Sequence, residues 1–135
     1  MKILAFFAHP DDETIFSGGG LALLARAGAE VHYLCATRGE GGEAGDPPLC
    51  AREDLGDLRA GELACAVEAL GGSSLDFLDY IDPTVGENGE LSAYTEDFEG
   101  LVEDLVQILE RMQPEAVITH GSKGEYGHPA HLLSH

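Results

Sequence analysis

Residues 2–8 (KILAFFA) open the chain with an apolar run that shows no polar alternation after its lysine. A strand of that kind offers neither face to water, so it belongs inside a parallel sheet covered by helices on both sides. His9-Pro10 ends the run. Asp11, Asp12 and Glu13 then read as the acidic first turn of a helix that continues through Leu21, Leu23, Leu24 and Ala25 to a stop at Gly28. The pattern repeats down the chain. A strand over residues 30–36 leads into a loop, 37–50, in which Gly39, Gly41, Gly42, Gly45 and Pro47-Pro48 exclude regular structure. Leu55, Leu58, Leu63, Ala66, Val67 and Leu70 recur at helical spacing and predict a helix over 51–70, stopped by Gly71-Gly72. A brief strand at 74–78, a loop or hairpin across 79–93, a helical stripe over 98–112 and a buried strand at 116–119 complete the series.

This alternation predicts one domain over 1–135, an α/β Rossmann-like three-layer αβα sandwich with a mainly parallel sheet. With 44% hydrophobic residues, one core is as much as the chain can bury. Ligands of such sheets bind at the carboxyl ends of the strands. Those ends carry His9, residues 37–40, Asp79, Asp82 and His120, with His128 and His131 in the loop beyond.

Composition removes several function classes. Asp and Glu total 25 against seven Lys and Arg, and no basic residue falls between Arg59 and Arg111, so a nucleic-acid backbone would be repelled. The excess acid is read as a solvated surface. No stretch approaches the roughly 20 apolar residues needed to span a bilayer, and no signal peptide precedes the first strand, so a cytoplasmic location is expected. Cys35, Cys50 and Cys65 are odd in number and form no C-x-x-C pair, which points to reduced thiols. Cys35 and Cys65 are read as core fillers and Cys50 as exposed.

The chemistry concentrates in two clusters. His9 and Asp12, three apart across a turn in which Pro10 fixes one φ angle, can face one cation, leaving Asp11 to aim at water beside it. The bland alternative is that Asp11 to Glu13 only complement a helix dipole and His9 only ends a strand. A second cluster, His128-Pro129-Ala130-His131, follows the fourth strand, and a parallel sheet brings it to the same edge. His9, Asp12 and His131 then supply the three nitrogen and oxygen ligands of a catalytic zinc with one open position. Two imidazoles and a carboxylate suit ferrous iron as well. Asp11 is the candidate base, and a protonated His128 the candidate oxyanion stabiliser and proton donor. His120 is weighed as a support for a ligand or as a satisfied strand end, and His32 as a half-buried strand residue. Gly18-Gly19-Gly20 lies within the first helix and not in the turn after the first strand, so it is read as letting that helix approach the sheet or a ligand closely, not as a phosphate loop.

Ala8-His-Pro-Asp-Asp-Glu13 with Gly127-His-Pro-Ala-His131 resembles the signature pair of the PIG-L/LmbE family of zinc-dependent N-acetylglucosaminyl deacetylases. Thr37-Arg38-Gly39-Glu40 resembles the family's T-x-G-E loop, Arg59-x-x-Glu62 with Leu70-Gly71 its R-x-x-E…LG helix, and residues 114–120 its P-x-hydrophobic strand. The resemblance implies hydrolysis of the N-acetyl amide of an N-acetylglucosamine-containing small molecule, with zinc on His9, Asp12 and His131, Asp11 as base and His128 at the oxyanion. It also implies that Arg38 and Glu40 contact substrate. A thiol-conjugate amidase or an inactive metal-binding fragment is the alternative. Two departures stand out: Ala130, where many members have Asp, and an ending at His135 where members continue, so the domain is read as incomplete at its C-terminus. An uncovered sheet edge leads to the expectation of a homo-oligomer.

Overall fold

The computed structural model describes residues Met1–His135. Four strands, β1 (Lys2–Phe7), β2 (Glu30–Thr37), β3 (Ser74–Tyr80) and β4 (Ala116–Ile118), form one sheet in the order β3-β2-β1-β4. All three pairings are parallel. β1 is central and buried along nearly its whole length, as its unbroken apolar run requires. Alternate residues of β1 feed two cores. Ile3, Ala5 and Phe7 pack with Leu21 of α1 (Gly18–Arg26) and with Leu63 and Val67 of α2 (Leu55–Ala69). Leu4, Phe6 and Ala8 pack on the other face with Leu101 of α3 (Phe98–Met112) and Ala130 of α5 (Pro129–Ser134). A three-layer αβα arrangement follows directly. No helix is long and apolar enough to cross a membrane.

The sheet grows outward from β1 through β2 to β3, then returns across β1 to place β4 on its other side. That reversal opens a crevice at the carboxyl ends of β1 and β4, where an open parallel sheet takes its ligands. His9 follows β1 and His120 follows β4 at that point.

Several local departures from expectation have physical causes. The first helix does not begin as one α-helix: residues Glu13–Ser17 form a π-helical turn before α1 starts at Gly18. Asp12 makes no side-chain cap hydrogen bond, because its carboxylate is occupied by histidines. The helix-dipole explanation of this acidic turn therefore does not account for Asp12. A Cβ added at Gly19 or Gly20 would meet nothing within 4 Å, so those glycines do not mediate the close approach expected of them. Residues 81–97 contain no strand, which resolves the loop-or-hairpin alternative as a loop. Cys65 is exposed on α2, not in the core, whereas Cys35 is buried and Cys50 is half-buried. Counting Cys65 with the apolar stripe placed it on the wrong side of a helix whose buried residues include Leu55, Leu63 and Val67.

Candidate metal centre and its cleft

The turn after β1 folds back on itself. The Asp12 carboxylate accepts the backbone N–H of His9 at 2.8 Å and lies 3.2 Å from His9 Nδ1. Its other oxygen is 3.3 Å from Nε2 of His131, which α5 delivers from the far side of the crevice. Asp12 and His131 are 3% and 1% exposed, so this junction is dry. The two clusters predicted to converge do converge, and the ring of His128 stacks on that of His131 with centroids 4.6 Å apart.

These residues fit a metal ion. His131 Nε2 is buried without a hydrogen-bond partner. A buried, unpaired ring nitrogen is costly unless something binds it. His9 Nδ1 and His131 Nε2 approach opposite oxygens of the Asp12 carboxylate, at 3.2 and 3.3 Å. The clusters whose ligand atoms all lie within 4.8 Å of one another are His9 with His128 and His131, and Asp12 with His120 and His131, so each holds two of the three predicted ligands. One hydrogen bond takes His120 out of the second group. Nε2 of His120 accepts the backbone N–H of Ala8 at 3.0 Å, so its lone pair is used, and His120 is the satisfied strand end.

Electrostatics point the same way. Burial would lower the pKa of His9, but Asp12 and Asp82 flank both ring nitrogens and raise it to about 9. The pocket stabilises positive charge, a proton in its absence of anything stronger, and a divalent cation carries more.

Asp11 has a left-handed φ of 112°. A non-glycine residue holds such a backbone at a cost of about 1–3 kcal/mol only when its surroundings impose it. Here Glu13 accepts the Asp11 backbone N–H at 3.1 Å and Arg59 donates to its carboxylate at 3.0 Å. Arg59 also binds the carbonyls of Gly39 and Pro10, and any side chain at Gly39 or Gly42 would collide with its guanidinium. Burial, then the charge of Asp12, raises the Asp11 pKa, with Arg59 and His9 opposing. A carboxylate with its proton affinity raised is suited to accept a proton.

His128 is held at about 4, by burial first and then by repulsion from His9 and His131. Its Nδ1 accepts the Ala130 backbone N–H at 3.1 Å, which assigns the ring proton of the neutral form to Nε2. In the neutral ring, Nε2–H is then the group free to donate a hydrogen bond.

A cleft of about 150 Å³ connects these groups, lined by His9, Asp11, Asp12, Arg59, Asp82 and His128, with Tyr126 at its mouth. Arg38 and Glu40 do not line it. Arg38 lies over the Phe77 ring and pairs with Asp79, while Glu40 accepts the backbone N–H of Asp82 at 3.0 Å. Glu40 thus fixes the loop that presses Asp82 against His9. His32 is half-buried with Nδ1 on Ser74, as expected for a strand residue. Sequence reasoning placed Asp82 at the ligand edge without giving it a role and passed over Tyr126 and Glu125 as parts of the site. Glu125 receives Nδ1 of both His120 and His131 at 2.9 Å, and nothing in its sequence neighbourhood signals that contact.

The family model described as GlcNAc-PI de-N-acetylase, PIG-L, matches residues 4–135. The chain is 37% identical over 148 residues to a 1D-myo-inositol 2-acetamido-2-deoxy-alpha-D-glucopyranoside deacetylase of Corynebacterium diphtheriae, covering 99% of this chain and 50% of that relative. It is 36% identical to the protein of the same name from Kineococcus radiotolerans, covering 99% and 42%. The chain thus spans about half the length of the relatives it matches. Among solved structures, N,N'-diacetylchitobiose deacetylase from Pyrococcus horikoshii aligns with a TM-score of 0.81 and 28% identity, over 98% of this chain and 46% of that one. GalB, the 4-carboxy-2-hydroxymuconate hydratase of Pseudomonas putida KT2440, aligns with a TM-score of 0.76 and 29% identity, over 98% and 52%.

Proposed function

Because the chain belongs to the PIG-L, GlcNAc-PI de-N-acetylase family, we propose that its site hydrolyses the N-acetyl amide of an N-acetylglucosamine-containing small molecule, releasing acetate and a free amine. The observation that carries this reading is the unpartnered Nε2 of His131, buried 3.3 Å from Asp12, which lines the cleft together with His9. His9, Asp12 and His131 are the proposed zinc ligands, and ferrous iron suits the same donors. Zinc held there supplies Lewis acidity and a water pKa lowered to about 7.

The chain's own residues do the rest. Asp11, held by Arg59 and Glu13, takes the proton of the attacking water. Nε2–H of His128 donates a hydrogen bond to the oxyanion that develops on the amide carbonyl. The leaving amine must gain a proton, and Asp11 returns the one it took, since His128 enters neutral. At about 150 Å³ the cleft is smaller than the ~300–1,000 Å³ of sites that enclose a whole ligand, so it admits the acetamido group and leaves the remainder of the substrate outside.

We further propose that the chain self-associates. β4 pairs only with β1, which leaves its other edge unpaired, and Val117 on that strand, like Ile15 and Phe16 in the turn before α1, is an exposed apolar residue at 50%, 67% and 40% exposure respectively.

The test is elemental analysis of wild type and His9→Ala, paired with measurement of acetate released from N-acetylglucosamine conjugates. One zinc per chain, lost in the variant, with acetate from wild type alone, supports the reading. Metal without acetate from any amide turns attention to hydration, the reaction named for the structurally similar GalB, and no metal at all rejects the catalytic site.

A further inference from the structure

We propose that Glu125 is a positioning residue of this centre, locking the tautomer and orientation of His131 and tying them to the end of β1. This inference rests on the reading of His131 as a metal ligand. One carboxylate oxygen, Oε2, lies 2.9 Å from Nδ1 of His131 and 2.9 Å from Nδ1 of His120. The other, Oε1, accepts the Gly121 backbone N–H at 2.8 Å. An ionised carboxylate only accepts hydrogen bonds, so both Nδ1 atoms must carry their protons. The consequence differs for the two rings. In His120 the freed Nε2 accepts the Ala8 N–H next to His9. In His131 the freed Nε2 has no partner and points at Asp12.

A continuous path therefore runs from the Ala8 amide through His120 and Glu125 to His131, joining the two halves of the site across the crevice. The two imidazoles stack, with centroids 4.0 Å apart and an interplanar angle of 13°, so neither can rotate alone. The backbone shows that the carboxylate is placed at a cost. Glu125 has φ 56° and ψ −73° inside α4 (Gly124–Gly127), a conformation that side-chain-bearing residues rarely adopt. Its side chain is nevertheless only 19% exposed. Residue 130, between the two histidines, is an alanine that is fully buried and offers no carboxylate, so Glu125 is the acidic group that reaches these ring nitrogens.

The substitution Glu125→Gln tests this with little change of shape. An amide cannot accept on both sides: turning its oxygen to the histidines sets its NH2 against the Gly121 N–H, and the opposite turn sets NH2 against two ring N–H groups. Two measurements suffice, imidazole nitrogen NMR at pH 8 on the metal-free proteins and zinc affinity by chelator competition. In wild type, His120 and His131 are expected as Nδ1–H tautomers. In E125Q, His131 is expected to acquire the Nε2–H tautomer, and zinc affinity to fall 10–100-fold, the range typical of losing a hydrogen-bonding partner of a ligand. An Nε2–H tautomer of His131 in wild type overturns the inference without any variant. Wild-type zinc binding with equal affinity and tautomer in E125Q overturns it alone, whereas a wild type that takes no zinc overturns the metal reading and this inference with it.

Discussion

At the scale of single residues, the site is built from ordinary side chains whose contacts remove their freedom. His128 shows how much the contacts matter. Its Nδ1 is committed to the Ala130 N–H and its pKa is depressed to about 4, so it serves as a neutral donor through Nε2. A glutamine side chain can present an N–H in a similar place and cannot act as an acid. His128→Ala should therefore lower kcat by roughly 10²–10³-fold, with zinc retained. His128→Gln should recover about a tenth or more of wild-type kcat if the role is hydrogen-bond donation. Equal kcat in the two variants would show that proton transfer by an imidazolium is what the residue contributes. The His9, Asp12 and His131 meeting was legible in the sequence because two short motifs flank strand ends. Asp82 was legible as a residue of the ligand edge and Arg59 as part of a helix motif, but their roles, and Glu125 altogether, were not, because each acts through a contact made only after folding: Asp82 on His9, Arg59 on Asp11, Glu125 on two rings at once.

At the scale of elements, hydrophobic periodicity located every strand and every long helix, and stop signals set their ends. Gly28 and Gly71 adopt positive φ directly after α1 and α2, as their positions implied. What periodicity could not supply was the face of a helix that an isolated small residue occupies. Cys65 illustrates the limit: it is exposed, while Cys35 on β2 is buried and its thiol is pushed well above the ordinary range, by burial first. Alkylation reports on this directly. Iodoacetamide at pH 8 should modify Cys65 in the folded protein, followed by the half-buried Cys50, and should reach Cys35 only in denaturant. Three modified cysteines under native conditions, by intact mass, would falsify this assignment of faces.

At the scale of the whole molecule, a formal charge of −18 on 135 residues surrounds a small, cation-seeking pocket. The same charge opposes contact between copies at the apolar β4 edge. Screening shortens the Debye length from about 30 Å at 0.01 M salt to about 8 Å at 0.15 M. Self-association is therefore expected to strengthen as salt rises, with the mass from light scattering climbing above the 14.3 kDa of one chain. A mass fixed at one chain across that range at micromolar protein would reject association.

The placement of β1 at the sheet's centre and α5 beside it has a kinetic side. His9 and Asp12 leave the ribosome early, and His131 follows about 120 residues later, roughly 6–24 s at ordinary synthesis rates. The proposed ligand set exists only once α5 docks, and long-range closures of this kind come late in folding. On the proposed ligand set, metal uptake is thus a timestamp for the docking of α5 against β1.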